Sequence, residues 1–484
     1  MSRTKLSWSD LRGARAGVWG LGREGMANLR ALVAMGTEPV LVDDNPQAAK
    51  AAAAAVGQAG GAGGPEGGEG ADALGGRPVL ATDDGGLAAL ERCEVVIKSP
   101  GISRYRPEVA RLERLGIPVA GGLGLWIAEA DRSRVVCITG TKGKSTTSSI
   151  TGHLLTGLGY RCMVGGNIGR PPYDPELQGD RCDYWVIEVS SYQATDLAYS
   201  PPVVAVTSLH PDHLDWHGSV ERYFRDKLSA CSQPGAELTI ASGDSSLLRE
   251  RAALLGPRVE WVHAADDPGA TWMEPLGLVG AHNRRNALIA RRCLAALGIG
   301  EAADEAALRS AAGGFASLDH RLQVIGEVAG VTFVDDSLST NVLPALAALD
   351  AFPGRRVALI AGGHDRGIDY APLAAGLAAR TAPTFVLTLP EAGPRIHAKI
   401  AEATRAGGEV WAGAGTSGTA ELSGVAGVED CDDLDTAVAR AFAWARPDGV
   451  VLLSPAAPSF GRFRDYRERG EAFAHAMRSC AALP

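Results

Sequence analysis

A short apolar run, a glycine-bearing loop and a helix follow one another between residues 135 and 155. Residues 135–138 are all apolar, which is typical of a buried strand, and apolar residues recur at helical spacing after the loop. Glycines let backbone N–H groups approach a phosphate, and the helix N-terminus adds the positive end of its dipole. Lys144 could reach the outer phosphates, and the Ser145 hydroxyl could bind magnesium. The pattern predicts a phosphate-binding loop on an α/β sheet, with the sequence Gly140-Thr141-Lys142-Gly143-Lys144-Ser145-Thr146.

This loop is shorter than the usual phosphate-binding pattern. That pattern has a glycine five residues before Gly143, where this chain has Ile138, and Gly140 follows two residues later. A glycine turn beside a solvated lysine is the alternative. The occurrence of strand, loop, Gly-Lys-Ser and helix in order favours the phosphate site.

Length and charge limit what the chain can be. Its 484 residues are enough for about three domains. A net charge of -9 argues against nucleic acid or an anionic membrane as the main partner. No apolar run approaches the roughly 20 residues of a membrane span, and the N-terminus lacks an apolar signal core, so we expect a cytoplasmic protein. The eight cysteines have no metal-type spacing, and we expect them to be reduced and buried.

The chain opens on a Rossmann-like pattern. A strand runs into Gly20-x-Gly22-x-x-Gly25, a helix follows, and the next strand ends at Asp43 and Asp44. The glycines allow close approach to a diphosphate, and the acids can bind a sugar hydroxyl or a base. NAD is the usual ligand, but any nucleotide diphosphate satisfies the same physics. A glycine turn without a ligand also stays open.

Residues 51–79 are mostly Ala, Gly, Glu and Pro, and we expect a flexible surface insertion there. Order resumes with a strand at 94–97, whose C-terminal end carries Lys98-Ser99-Pro100-Gly101. A polar turn at this end of a strand is where open parallel sheets bind ligands. The first domain should close near residues 131–133.

Two later strand ends carry residues that suit a metal ion. One strand runs into Glu188, and the next is followed by His213. An acid and a histidine after a phosphate loop suit magnesium beside a nucleotide, although an acid at a strand end could instead cap the next helix. By the residues alone, Lys227 is an exposed helical lysine. Asn286 could cap the helix it opens or reach a nucleotide base.

A third, largely parallel sheet with helices on both faces is predicted after Arg321. Its strands end in polar or glycine turns, so one rim of the sheet should be rich in ligand groups. Arg366, in one of these turns, could clamp a carboxylate or be a surface arginine. The strands are expected at 331–334, 357–361, 384–389 and 450–453.

These motifs together resemble those of the Mur ligases of peptidoglycan synthesis. Besides the phosphate loop they are Gly166-Asn167-Ile168-Gly169, Glu188-x-Ser190-Ser191-Tyr192-Gln193, Asp212-His213-Leu214-Asp215, His282-Asn283-x-x-Asn286, His320-Arg321, Asp336-Ser337 and Leu453-Ser454-Pro455. The resemblance covers nearly the whole chain outside 51–79. It implies a Rossmann-like UDP domain at 1–132, a central ATP-binding domain at 133–319 and a Rossmann-like glutamate domain at 320–484. In that family the first glycine motif holds UDP, not NAD.

The resemblance also implies roles for individual residues. ATP would contact Gly140, Thr141, Lys142, Gly143, Lys144, Ser145, Thr146, Asn286, Arg321 and Asp336. Magnesium would be held by Ser145, Glu188, His213 and a carbamylated Lys227, and the catalytic residues would be Lys144, His213 and Lys227. The UDP substrate would contact Gly22, Arg23, Asp43, Asp44, Ser99, Asn167 and Gln193. Glutamate would contact Thr340, Arg366, Ser459 and Phe460.

The implied reaction is an ATP-dependent amide ligation. ATP phosphorylates the alanyl carboxylate of UDP-N-acetylmuramoyl-L-alanine, and the amine of glutamate then displaces phosphate. Closure of the third domain would bring the amine to the acyl phosphate. We expect a monomer that works with a separate epimerase, which inverts the added residue.

Within the family, the chain is most similar to the ligases that add L-glutamate. The similar segments include His213-Leu214-Asp215-Trp216-His217-Gly218 and Gly362-Gly363-His364-Asp365-Arg366-Gly367. Leu338 stands where many D-glutamate ligases have a lysine, in a loop that borders the amino-acid site. A D-glutamate ligase stays open. So does a folylpolyglutamate synthase-like ligase, although that family lacks the N-terminal UDP domain. A nucleotide-binding regulator without catalysis would need only the phosphate loop.

Overall fold

The computed structural model describes residues 3–51, 74–177, 182–316, 318–411 and 424–481. The chain divides into two compact units. The first unit comprises Met1–Pro275 and Arg285–Gly314, and the second comprises Leu276–Arg284 and Phe315–Pro484. Two sheets lie in the first unit and one in the second. Each sheet falls within one of the three predicted domain ranges, whose exact limits stay a prediction.

The first sheet is parallel and has the strand order β3-β2-β1-β4-β5. This is the Rossmann-like order, in which the chain winds outward from β1 in both directions. The predicted Rossmann-like start is therefore confirmed, and the helix after the glycine motif begins at Arg23. The strands are β1 Ala16–Trp19, β2 Val40–Asp43, β3 Val79–Ala81, β4 Val95–Lys98 and β5 Val119–Gly121.

The second sheet is also parallel, with the order β11-β10-β9-β6-β8-β7. The strand before the phosphate loop, β6, is fully buried between β9 and β8. The continuous apolar runs of β6 and β9 fit this position, because a central parallel strand is covered on both faces. The strands are β6 Val135–Thr139, β7 Cys162–Gly166, β8 Tyr184–Glu188, β9 Val203–Val206, β10 Leu238–Ser242 and β11 Val259–Val262.

The third sheet has the order β12-β13-β17-β14-β15-β16, and only its edge strand β12 runs antiparallel. Val357 and Leu359 of β14 belong to one apolar core, and Ala358 and Ile360 belong to another. Helices therefore cover both faces of this sheet, as predicted. The strands are β12 Gln323–Val328, β13 Val331–Asp335, β14 Val357–Gly363, β15 Thr384–Glu391, β16 Val425–Asp430 and β17 Val450–Leu453.

Helices connect the strands, and polar side chains cap many of them. The helix Val220–Leu228 begins after Ser219, whose side chain accepts a hydrogen bond from Arg222 N, and the helix Tyr466–Cys480 is capped by Asp465 in the same way. The α-helices are Arg23–Ala34, Gly86–Leu90, Pro107–Arg114, Gly122–Glu129, Lys144–Gly157, Ser191–Ala194, Leu214–His217, Val220–Leu228, Ser246–Glu250, Ala281–Ala296, Glu305–Ala311, Val342–Asp350, Ala371–Ala378, Gly393–Trp411, Leu434–Ala445 and Tyr466–Cys480.

The predicted insertion at 51–79 is too long at its C-terminal end. Residues 52–73 lie outside the described residues, but Leu74 is buried and Val79 begins β3. None of the eight cysteines forms a disulfide, and all except the half-buried Cys162 and Cys182 are buried, close to the expectation. Within the part of the chain that the structure describes, we find no helix with the length and hydrophobicity of a membrane span.

The two sheets of the first unit share an apolar core and a buried ion cluster. The core contains Val18 and Ile97 from the first sheet and Val204 from the second. Lys98 Nζ donates to Asp196 Oδ2 at 2.6 Å, and Arg104 donates to Asp196 Oδ1 at 3.0 Å. The side chains of Lys98 and Asp196 are only 0% and 3% exposed, so this carboxylate neutralises the buried Lys98 and shares Arg104 with Glu113, 3.2 Å away.

Replacing Asp196 by asparagine should destabilise the first unit. The change keeps the side-chain shape but leaves Lys98 without its buried anion and Arg104 with the more exposed carboxylate of Glu113, which costs about 3–5 kcal/mol of unfolding free energy. We expect a lower urea midpoint. Asp183→Asn is the control, because its ion pair with Arg161 is exposed, and there we expect little change. An unchanged midpoint for Asp196→Asn would contradict the role of this charge.

Candidate active site

The phosphate loop lies where three parallel strands end side by side. β6 pairs with β8 and β9, with Ile138 opposite Glu188 and Thr139 opposite Val206. Since the carboxyl ends of parallel strands meet at one edge of a sheet, residues 140–143, Glu188 and residues 207–210 are brought together there. This is the arrangement that the order of the motifs predicted.

The loop has the backbone geometry of an anion-binding turn. Gly140 and Gly143 have φ angles of +135° and +88°, which side-chain-bearing residues rarely adopt. A Cβ on Gly140 would lie 2.2 Å from Thr207 Oγ1, and one on Gly143 would lie 2.9 Å from Asn286 Oδ1. The helix Lys144–Gly157 starts directly after the loop, so its N-terminal N–H groups face the same space.

Two residues that the sequence did not single out hold the loop in place. Thr207 Oγ1 donates to Lys142 O at 2.6 Å, and Ser208 Oγ accepts from Lys142 N at 2.8 Å. Thr141 N also donates to Ser208 O at 2.9 Å. Their position directly after the apolar strand β9 was a signal that could have identified them.

Two lysine side chains converge on one carbonyl of the loop. Lys144 Nζ and Lys227 Nζ each donate to Gly140 O at 3.0 Å. The interpretation of Lys227 as an exposed helical lysine is wrong, because only 2% of the residue is exposed. Burial, and secondly the nearby charge of Lys144, hold the pKa of Lys227 well below its usual value. A buried neutral amine is the form that can react with carbon dioxide.

Glu188 is the buried carboxylate nearest to this loop in the strand register. It is 1% exposed, and its Oε1 accepts from Asn167 Nδ2 at 2.5 Å. Oε2 is buried and has no hydrogen-bond partner among the described residues. A buried carboxylate oxygen without a donor suits a cation, so the residues present fit a magnesium ion. Among the residues that the structure describes, no three His, Cys, Asp or Glu side chains cluster tightly enough to hold a metal by themselves.

His213 follows β9 in a left-handed conformation with φ of +50°. Its ring lies 5.0 Å from the ring of Tyr192, and its side chain is half-exposed. Desolvation lowers the pKa of His213; the charge of Asp212 opposes this shift, and the charges of Lys142 and Lys144 add to it. The neutral imidazole that results is the metal-binding form of histidine.

The predicted UDP-substrate residues of the first sheet cluster at its carboxyl edge. Leu21 N donates to Asp43 Oδ2 at 2.7 Å, and Ser99 Oγ donates to Gly20 O at 2.5 Å. Asp44 accepts from Thr82 at 2.7 Å and from Arg106 at 2.5 Å. Gly22 is exposed, and a Cβ there would meet nothing within 4 Å.

Arg23 and Asn167 connect this edge to the second sheet. Arg23 Nη2 donates to Asn167 O at 2.5 Å, and Asn167 in turn contacts Glu188. Gln193 forms a capping box with Ser190, and its Nε2 donates to Glu24 Oε1 at 2.8 Å. Desolvation raises the pKa of Glu24 to about 7, although the Gln193 hydrogen bond opposes the shift. The sequence did not identify Glu24 as a site residue.

In the second unit, the predicted nucleotide residue Asp336 is enclosed. Its Oδ2 accepts from Ser454 Oγ at 2.6 Å, and its Oδ1 accepts from Leu322 N at 3.1 Å. Burial raises the pKa of Asp336 from its ordinary 3.8 to about 7, and the charge of Asp335 adds to this effect. Arg321 is close enough for its charge to oppose the rise.

Three of the four predicted glutamate residues lie together in the second unit. The guanidinium of Arg366 lies 5.9 Å from the ring centroid of Phe460, and Ser459 precedes Phe460 in the chain. Thr340 is exposed in the loop after β13, and no described contact joins it to that group. A small pocket is lined by Ser459, Phe460, Glu391 and Arg469, among others.

Glu391 and Arg469 were not found from the sequence. Glu391 adopts a φ of +72° and lies 2.9 Å from His364 Nδ1. Arg469 is 1% exposed and donates to Ser337 O at 2.8 Å and to Ala457 O at 3.2 Å. Neither residue lies in a motif that indicates burial or strain.

Comparison with known families matches this fold and this phosphate loop. Residues 138–267 match the Mur ligase middle domain, and residues 320–457 match the Mur ligase, glutamate ligase domain. The chain belongs to the Mur ligase family. It is thus an ATP-dependent ligase that forms a carbon–nitrogen bond, and the predicted fold class is confirmed.

Curated relatives carry one specific name. UDP-N-acetylmuramoyl-L-alanine--L-glutamate ligase of Micromonospora sp. is 41% identical over 98% of this chain and 99% of its own. The protein of the same name from Salinispora tropica is 38% identical, with 98% and 99% covered. The one from Xanthomonas euvesicatoria is also 38% identical, with 96% and 95% covered.

A solved structure shows the same fold at low sequence identity. UDP-N-acetylmuramate-alanine ligase MurC from Thermotoga maritima has a TM-score of 0.52 and 16% identity, with 96% of this chain and 99% of that chain covered. MurF from Acinetobacter baumannii also has a TM-score of 0.52, with 15% identity and coverage of 76% and 82%.

The raised pKa of Asp336 predicts how stability depends on pH. The folded chain binds this proton more tightly than the unfolded chain, so the stability it contributes is fully present below pH 3.8. That contribution is lost as the pH rises through about 7. Asp336→Asn is neutral at every pH. We therefore expect the wild-type urea midpoint to fall relative to that of Asp336→Asn between about pH 4 and pH 7. A difference that stays constant with pH would contradict the shift.

Proposed function

We propose that this protein adds L-glutamate to UDP-N-acetylmuramoyl-L-alanine in peptidoglycan precursor synthesis. The observation that carries the proposal is the near full-length similarity to ligases of that name. The substrate's carboxylate oxygen attacks the γ-phosphorus of ATP, and ADP leaves. The glutamate nitrogen then attacks the acyl carbon, losing a proton as phosphate departs.

The phosphate loop is proposed to bind the ATP phosphates through its backbone N–H groups and Lys144. In the structure Lys144 Nζ donates to the loop carbonyls of Gly140 and Thr141 at 3.0 Å and 3.1 Å. A rotation of its side chain away from these carbonyls would bring the ammonium group to a phosphate. Asn286 packs against Gly143, which supports its assignment to the nucleotide. We assign Arg321 and Asp336 to phosphate and ribose. Positioning and charge neutralisation supply most of the catalysis in this class of reaction.

The magnesium site is proposed to consist of Ser145, Glu188, His213 and a carbamylated Lys227. The free Oε2 of Glu188 and the neutral imidazole of His213 support it. Carbamylation would change Lys227 from a neutral amine into an anion, which the nearby charge of Lys144 would stabilise. Bound magnesium would neutralise the charge of the phosphates.

The UDP substrate and glutamate, which the reaction joins, are proposed to bind to different units. The UDP substrate is assigned to Gly22, Arg23, Asp43, Asp44, Ser99, Asn167 and Gln193. Glutamate is assigned to Thr340, Arg366, Ser459 and Phe460. The second unit then has to close on the first during turnover. We also propose that the protein is a monomer and acts in the cytoplasm, where ATP is available. A separate epimerase would then act on the added residue of the product.

Both enantiomers of glutamate carry the same three charged groups, so one arginine cannot distinguish them. Discrimination needs a third fixed point, and the direction from which the amine meets the acyl phosphate supplies it. With both carboxylates held near Arg366 and Ser459, the wrong isomer points its amine away. A displacement of about 1 Å can cost roughly a hundredfold in rate.

Separate assays with each pure enantiomer test the proposal directly. We expect product formation per ATP consumed with L-glutamate, and a rate lower by about a hundredfold with D-glutamate. Phosphate release should require both UDP-N-acetylmuramoyl-L-alanine and glutamate. Faster turnover with D-glutamate would return the chain to the D-glutamate branch of the family, and no product with either isomer would reject the proposed activity.

Lys227→Ala should lower turnover by on the order of a hundredfold or more, because an anion beside the metal is lost. Acetate or propionate at high concentration should restore part of the activity. Lys399→Ala, an exposed lysine paired with Glu402, is the matched control and should behave as wild type. A carbamate resonance from ¹³C-labelled bicarbonate in wild type but not in Lys227→Ala is also expected. Active wild-type enzyme without that resonance at saturating magnesium would refute the carbamate.

A further inference from the structure

A buried polar network, separate from the one around Asp196, is centred on Asp226, the residue before Lys227. The carboxylate of the neighbouring residue, Asp226, accepts a hydrogen bond from Tyr105 Oη at 2.7 Å and another from His217 Nδ1 at 2.6 Å. His217 Nε2 then accepts from Ser191 Oγ at 3.0 Å. His217 is 0% exposed and Asp226 is 8% exposed. A buried network in which each polar group is paired holds its members in one arrangement.

Ser191, His217 and Asp226 have the order of contacts found in a serine nucleophile triad. Their surroundings exclude that role. Ser191 is 2% exposed, and the ring of Tyr192 stacks on His217 with centroids 5.6 Å apart. Trp216 lies 4.5 Å from the His217 ring on a further side. No substrate carbonyl could reach the serine hydroxyl, so the contacts serve to hold side chains in place.

The network joins segments that the proposed reaction needs together. Ser191 begins the helix that follows Glu188, and His217 ends the short helix that follows His213. Asp226 lies on the same helix as Lys227, with the two side chains about 100° apart around its axis. Fixing Asp226 therefore fixes the rotation of this helix and the direction in which Lys227 points.

Tyr105 brings the first sheet into the network. It belongs to the segment after β4, in which Ser103 Oγ donates to Trp216 O at 3.3 Å and Trp216 Nε1 donates to Gly101 O at 3.2 Å. The next residue, Arg106, pairs with Asp44 at the edge of the first sheet. Asp226 thus accepts one hydrogen bond from each side of the junction between the two sheets.

We propose that Asp226 is a positioning residue that holds Lys227 beside the phosphate loop, through hydrogen bonds from Tyr105 and His217. The proposal rests on the assignment of Lys227 to the metal site of the proposed function. Tyr105 makes the geometry of that site depend on the segment after β4. The consequence is that removing the single hydroxyl of Tyr105 should weaken metal binding.

Tyr105→Phe is the sharpest test, because it removes only one hydrogen-bond donor. The dissociation constant of Mn²⁺ would be measured by electron paramagnetic resonance, with an unreactive ATP analogue present. We expect it to rise about tenfold, since a hydrogen bond to a charged group is lost. Tyr160→Phe is the matched control: its hydroxyl lies 3.3 Å from Glu301 at the surface, and its loss should change nothing.

Asp226→Asn is the second variant. The amide oxygen can accept from one of the two donors, but the amide nitrogen cannot accept from the other. We expect a larger rise in the Mn²⁺ dissociation constant than for Tyr105→Phe, and a KM for glutamate within about twofold of wild type. Circular dichroism would establish whether the variant folds. If it does not, the comparison of Tyr105→Phe with Tyr160→Phe decides the question.

Two results would overturn the proposal. One is an Mn²⁺ dissociation constant for Tyr105→Phe within about twofold of the control. The other is labelling of wild type, but not of Ser191→Ala, by a fluorophosphonate, which would make Ser191 a nucleophile. Failure of the proposed function can be distinguished from failure of this proposal, because ligation could fail with both glutamate isomers while the Mn²⁺ affinities still shift as expected.

Discussion

The Gly140 carbonyl is the point on which the arrangement of the first unit depends. It accepts hydrogen bonds from two lysine side chains, and one of these, on Lys227, is buried. Two ammonium groups on one carbonyl would repel each other in a site from which water is largely excluded, so the structure favours a neutral amine on the buried member. The same constraint explains why a lysine can lie beside a cation site at all. A neutral amine can react with carbon dioxide to give a carbamate anion. Beside the phosphate loop, such an anion could bind the proposed magnesium ion.

The Gly140 carbonyl lies at the carboxyl edge of the second sheet, and contacts from the first sheet stabilise that edge. β6 lies between β8 and β9, so the phosphate loop, Glu188 and the Thr207 segment are adjacent because of strand order alone. Contacts from the first sheet then set the finer positions: Arg23 reaches Asn167, which holds one oxygen of Glu188 and leaves the other without a donor. Lys98 and Arg104 share Asp196 across the same junction. Substrate recognition and metal binding are therefore assigned to groups that contact one another within a single compact unit.

The sequence predicted the elements that local patterns determine. Apolar strands of four to seven residues such as β6, β9, β14 and β17, the phosphate loop and the Rossmann-like start were found from periodicity and glycine spacing. The short strands β3 and β5 were missed, because three residues contain no usable period. Local pattern alone places Lys227 on the surface, since a lysine on a charged helix is ordinarily solvated, and only the family resemblance indicated a role at the metal site. Asp226 was missed for the same reason. Its partners Tyr105 and His217 are 121 and 9 residues away, and only the tertiary fold brings them together.

The same limit applies to the selectivity for one isomer of glutamate. Leu338, which the resemblance aligns with a lysine of many D-glutamate ligases, is a local difference and cannot by itself set the hand of a substrate. The two loops proposed to contact glutamate are joined by Arg469, which donates to Ser337 O in one and to Ala457 O in the other. Its side chain is 1% exposed, so it cannot move without moving both loops. The spacing between Thr340 and Ser459 is thus set by a buried residue that need not touch the substrate. Selectivity for one enantiomer therefore depends on the buried residues, such as Arg469, that set the distance between the carboxylate-binding groups. A change at position 338 alters the site only within that fixed spacing.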